Sequence, residues 1–108
     1  MNMRIFSGWL HDWPADAVSP DGVKKLLLTV MLRDDLGHEF PERVMIEEPG
    51  LMARVRDRLT PGSAVICQGP VRAWPIRAKS NREIGHDRWV VASDVEITRQ
   101  VVAKEVAK

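Results

Sequence analysis

Residues 59–71, Leu59-Thr60-Pro61-Gly62-Ser63-Ala64-Val65-Ile66-Cys67-Gln68-Gly69-Pro70-Val71, decide the fold of this chain. An apolar helix end runs into a Pro-Gly turn, then into an alternating strand, and a glycine interrupts that strand. Gly62 follows the last periodic helix residue, where a left-handed C-terminal cap is easiest for glycine. Val65, Cys67, Gly69 and Val71 share one strand face, and Ile66 and Gln68 share the other. A glycine inside a strand suits a bulge or a sharp bend at the corner of a small barrel.

Working outward, residues 3–11 alternate, with Phe6, Gly8 and Leu10 on one face and Ile5, Ser7 and Trp9 on the other. Residues 12–23 read as a connection, and Ser19-Pro20-Asp21-Gly22 within it is a strong turn signal. Residues 24–33 form a second strand whose continuous apolar middle predicts burial on both faces. After the polar loop Asp34-Asp35-Leu36-Gly37-His38, a third strand over 40–47 places Val44 and Ile46 opposite Arg43 and Met45. Pro49 and Gly50 open a short helix with Leu51, Val55 and Leu59 on one stripe. A fourth strand runs from 63 to 74, a long polar loop broken by Pro75 follows, and a fifth strand covers 88–98. Residues 1–100 read as one domain and 101–108 as a tail. The reading is all-β: a five-stranded barrel with one short helix between strands 3 and 4. That is the element order of the oligonucleotide/oligosaccharide-binding (OB) fold, a frequent binder of nucleic acid.

Bulk properties narrow the function. A chain of 108 residues accommodates one core. No apolar run reaches the length of a membrane span, and the N-terminus lacks the pattern of a secretory signal. The single cysteine rules out an internal disulfide, points to a reducing, cytoplasmic setting, and reads as a core residue. The net charge is only +1, but its distribution is uneven. Residues 72–88 hold Arg72, Arg77, Lys79, Arg82 and Arg88 against Glu83 and Asp87, whereas residues 33–48 hold Arg33 and Arg43 against six carboxylates. His11, His38 and His86 have no metal-ligand spacing, no nucleophile or phosphate-loop motif occurs, and neither an enzyme nor a bound cofactor or metal is expected.

The candidate site is Arg72-Ala73-Trp74-Pro75-Ile76-Arg77-Ala78-Lys79. Single strands are held by cations that track phosphates and by aromatic faces that stack on bases, and this segment supplies both. Lys24, Lys25, Arg33 and Arg43 would line the neighbouring strands, with Arg82 and Arg88 completing the basic arm. The competing reading packs Trp74 on the barrel rim and leaves the cations solvated. Trp89 reads as a core residue, and Trp13 either packs on the first loop or stacks on a base.

Several segments together resemble the bacterial single-stranded DNA-binding protein family, including its primosomal replication protein B-like members. They are Gly8-Trp9-Leu10, Ser19-Pro20-Asp21-Gly22, Arg43-Val44, Leu59-Thr60-Pro61-Gly62-Ser63-Ala64-Val65, Gln68-Gly69 and Val91-Ala92-Ser93-Asp94-Val95-Glu96-Ile97. The resemblance implies non-catalytic binding of single-stranded DNA, with RNA left open, in replication, recombination or repair. It also implies stacking by Phe40 and Trp74, homodimers or homotetramers, and a subunit interface on the outer face of strand one at Ile5, Ser7 and Trp9. Replication or recombination proteins are the implied partners, and a membrane is not. The chain departs from the family in two places. Glu47 stands where a further aromatic is common, and Ala103-Lys104-Glu105-Val106-Ala107-Lys108 lacks the acidic tip of longer members. The second departure favours a primosome-type or mobile-element accessory. The rival function is a protein-interaction module on the same barrel with weak or no nucleic-acid binding, favoured by the acidic stretch 33–48 and by Glu47.

Overall fold

A computed structural model describes residues 3–77 and 79–101. It contains β1 (Met3–Leu10), β2 (Ala15–Val18), β3 (Lys24–Arg33), β4 (Glu39–Ile46), a helix α1 (Pro49–Val55) continued by a 3-10 turn (Arg56–Arg58), β5 (Ala64–Arg77), β6 (Glu83–Val91) and β7 (Asp94–Arg99). Five strands close a ring in the order β1-β3-β4-β6-β5, and β5 returns to β1. All neighbours in the ring are antiparallel except β4 and β6, which run parallel at Val44↔Val90 and Met45↔Val91. The expected barrel is therefore present, with its helix between the third and fourth ring strands.

Strand alternation built the core. Leu26, Leu28, Val30 and Leu32 of β3 are buried, while Leu27, Thr29 and Met31 between them are half-buried on the outside. Val65 and Cys67 of β5 and Val90 of β6 join them, and each fully buried aliphatic side chain contributes about 1.5–3 kcal/mol. Burial, reinforced by the nearby Asp94 charge, pushes the Cys67 thiol up to about 12. Glu48 caps α1 by accepting from the Gly50 and Leu51 N–H groups, at 3.1 and 2.7 Å, with Pro49 in the first turn. Leu51, Met52, Val55 and Leu59 sink into the same core.

Three expectations need correction. The helix ends at Val55 and gives way to a 3-10 turn, so Gly62 does not cap it. Gly62 does take a positive φ of 87°, but for a turn in which Ser63 N–H donates to the Thr60 carbonyl and Gly62 N–H donates to the Leu10 carbonyl. That turn launches β5 beside the end of β1. The connection 12–23 contains β2, which pairs with β3 from Ala15↔Leu27 to Val18↔Lys24, and Ser19–Gly22 is the turn of that hairpin.

The expected fifth strand over 88–98 is two strands broken at Ala92-Ser93, and the polar loop before it is mostly a β5–β6 hairpin, or arm. Along Ala64–Gln68, β5 pairs with β7; from Val71 onward it pairs with β6. Gly69 lies at this change of partner. A Cβ there would stand 2.1 Å from the Val91 carbonyl oxygen, so only glycine lets β5 pass beneath the corner. Ala92 N–H and Ser93 N–H fasten the corner to the Met45 and Gln68 carbonyls, both at 2.8 Å. Among the described residues β5 has β6 as its one neighbour in the arm, which makes it an edge strand that tolerates Pro75. At the C-terminal side, Val101 N–H donates to Ser63 Oγ at 3.0 Å, and its carbonyl accepts from Thr60 Oγ1. Most of the expected tail, 102–108, lies outside the described residues.

Candidate nucleic-acid interface

The arm carries the site. On β5, Arg72 and Trp74 share a face; the register Arg72↔Trp89 and Trp74↔Asp87 adds Trp89 and Asp87 to it. The parallel β4–β6 pairing brings Arg43 beside Trp89, and the β3–β4 register Leu27↔Met45 extends the same outer surface to Lys25. A groove results, floored by Leu27, Met45 and Trp89 and walled by Trp74 on the arm and by Val18, Ser19 and Pro20 of the β2–β3 hairpin.

Every cation in this groove has a carboxylate partner. Glu47 accepts from Lys25 Nζ at 2.7 Å and pairs with Arg72 Nη1 at 3.2 Å. The Lys25 hydrogen bond, with Arg72 adding its charge, holds the Glu47 carboxyl below the usual carboxylate range. Asp87 accepts from the Trp89 indole N–H at 3.0 Å and pairs with Arg43. These two contacts, the indole first, lower its carboxyl likewise. The Arg43 guanidinium also lies over the Trp89 ring, 4.6 Å from its centroid, and donates to the Arg88 carbonyl at 3.1 Å. Trp74 stays 38% exposed, which makes it the more open of the two indoles.

Of the residues singled out in the sequence, Lys25, Arg43, Arg72 and Trp74 come together. Lys79 and Arg82 are exposed in the turn at the arm tip; the side chain of Arg77 lies outside the described parts. The others stand elsewhere. Lys24 points to the opposite side of β3 and borders a hollow with Pro49, Met52 and Arg56 of the helical segment. Arg33, at the far end of β3, pairs with Glu39 at 2.7 Å and covers the Trp9 ring at 5.4 Å. Phe40 alternates with Arg43 and so shares the face of Val44, and Arg88 alternates with Trp89. Trp13 is exposed beside Pro14 and Leu59, away from the groove.

Trp89 corrects the sequence reading. Val90 is the core residue, fully buried, and the tryptophan faces outward. Two valines after it left its face open in the sequence; its pairing with Arg72 would have placed it beside Trp74. Asp87 was read only as a counter-charge of the arm, because an aspartate two residues before a tryptophan carries no site signal until the strand pairing is known.

A second surface lies on the other side of the barrel. Ile5, Ser7 and Trp9 share the outer face of β1, opposite Gln68, Ile66 and Ala64 of β5. Ile5 is 69% exposed, and Met3 and Ile66 are exposed beside it. Only Trp9 and Leu10 of β1 pair with β3, so along Met3–Gly8 one edge of the strand has no partner among the described residues.

No protein-family model and no curated protein sequence matches the chain. Solved structures do. The mitochondrial single-stranded DNA-binding protein Rim1 of S. cerevisiae superposes with a TM-score of 0.77 at 9% identity, over 91% of this chain and 95% of that one. A Plasmodium falciparum SSB, solved in complex with single-stranded DNA, gives 0.71 at 15% identity over 90% and 94%. The dimeric N-terminal domain of PriB from Thermoanaerobacter tencongensis gives 0.69 at 14% identity over 90% and 96%. At these identities the shared property is the fold: the chain is an OB-fold barrel of the shape found in SSB and PriB proteins.

Proposed function

We propose that this chain binds single-stranded DNA without catalysis, in the groove between the arm and the β2–β3 hairpin, and serves replication, recombination or repair. The observation that carries this reading is the convergence of Trp74 and Trp89 with Lys25, Arg43 and Arg72 on one face. Indoles stack on bases of any identity, and the cations meet the phosphates between them. Lys79 and Arg82 at the tip extend the phosphate track. Two of the structural neighbours carry single-stranded DNA binding in their descriptions, which supports the reading. The exposed face of Ile5, Ser7 and Trp9 with its open strand edge is where a second copy docks, giving a homodimer.

Tryptophan fluorescence during titration with a thymine oligonucleotide tests the reading, with Trp74→Ala beside the wild type. The expected result is quenching that weakens with salt and shrinks in the variant. A folded protein whose fluorescence stays unchanged at low salt would rule it out.

A further inference from the structure

The charges of the groove are not aimed outward at a ligand; they are spent on one another. The charged groups that face it are Lys25 of β3, Arg43 of β4, Glu47 just past β4, Arg72 of β5, Asp87 of β6 and, from the β2–β3 hairpin, Asp21, which accepts from the Ser19 hydroxyl. Glu47 bridges two cations: Oε2 accepts from Lys25 Nζ at 2.7 Å, and Arg72 Nη1 straddles the carboxylate at 3.2 Å from Oε1 and 3.4 Å from Oε2. Asp87 divides its oxygens between Arg43 and the Trp89 indole N–H. Arg43 also covers one face of Trp89, at 4.6 Å from the ring centroid. A carboxylate thus sits where a phosphate would meet each cation, and a planar guanidinium sits where a base would meet Trp89. Of the two indoles in the groove, Trp74 has no such cover among the ring contacts of the described residues.

We propose that Glu47 and Asp87 are built-in occupants of the phosphate sites, so that single-stranded DNA binds by exchange with them and these two carboxylates set its affinity and salt dependence. The inference rests on the binding function proposed above and adds how that site is regulated. Binding then proceeds in two stages. A base stacks first on Trp74, and the backbone afterwards draws Lys25, Arg72 and Arg43 away from their carboxylates. Withdrawal of Arg43 uncovers Trp89 for a second base. Each displaced carboxylate recruits a cation from solution, which offsets a counterion released from the DNA and flattens the salt dependence.

The test compares the wild type with Glu47→Gln, Asp87→Asn and the double variant, using a thymine oligonucleotide at several salt concentrations. Both changes are nearly isosteric and lie on partly exposed side chains. Asp94→Asn is the control, since Asp94 forms a pair with Arg54 at 2.7 Å outside the groove, more exposed than the groove pairs. Each groove substitution is expected to tighten binding by about three- to tenfold, from loss of an exposed ion pair and of its repulsion of phosphate. The salt slope should steepen by up to about 1 per carboxylate removed, and the control should match the wild type. Strong binding by the double variant where the wild type binds only weakly would support the exchange in its strongest form. Wild-type binding that the groove variants leave equal or weaken, with an unchanged slope, would overturn the exchange while leaving the binding function intact. Absence of binding by every protein, double variant included, would overturn both.

Discussion

The two outer faces of this barrel share a strand and little else. β5 contributes Ile66 and Gln68 to the face that adjoins β1, then passes Gly69 and contributes Arg72 and Trp74 to the groove. The first face is apolar and open, with Ile5 69% exposed. The second is aromatic and ionic, each of its cations already matched by a carboxylate. A core constrains only the inward half of a strand. What the outward half presents changes within one strand, according to which neighbour it has acquired.

The joint between the faces is the place to break both at once. Gly69→Ala would press a methyl group into the Val91 carbonyl, and a loss of about 3 kcal/mol or more is expected in a denaturant melt, with dimer and DNA signals falling together. Trp74→Ala acts on the groove alone. It should weaken oligonucleotide binding by about 1–3 kcal/mol while sedimentation shows unchanged assembly. Ile5→Asp is its mirror image: dimerisation should weaken by about 1.5–3 kcal/mol, with binding per groove retained by the resulting monomer. An effect of either substitution on both faces would mean that they are coupled through β5.

The smallest effect concerns pH. Lys25 and Arg72 hold the Glu47 carboxyl below its ordinary 4.5, so this group stabilises the fold above that pH. The stabilisation is lost as pH falls through the lower folded value. Wild-type melting temperature should therefore drop more steeply than that of Glu47→Gln between neutral pH and pH 3, by an amount worth about 1 kcal/mol or less for a pair still reached by solvent.

What the sequence made legible follows from what each element is packed against. Val65 and Cys67 alternate because one side meets the core, and the turn at Ser19–Gly22 follows from residue chemistry alone, whereas the apolar run of β3 read as buried on both faces and is fully buried only at Leu26, Leu28, Val30 and Leu32. The arm was hidden for the converse reason. Beyond Val71 neither of its faces meets the core, so no alternation marks it, and from Pro75 on it read as a loop. β2 is a four-residue strand with no buried residue and gives no period to detect. The break at Ala92-Ser93 leaves no trace in Val-Val-Ala-Ser-Asp-Val, because each half alternates correctly against its own neighbour. Of the site, its cations and Trp74 were readable as chemistry; that Trp89 joins them, and Phe40 and Arg33 do not, depended on register.

Burial of Cys67 has a practical corollary. Its thiol is sealed from solvent and pushed up to about 12, so a maleimide reaches it only when the barrel opens. The native chain therefore carries its own clock for opening events. A second cysteine introduced on the surface, at Ser93, would label at once and singly, without removal of the native one. Run with and without oligonucleotide, the Cys67 clock reports whether a ligand in the outer groove slows the breathing of a core it never touches.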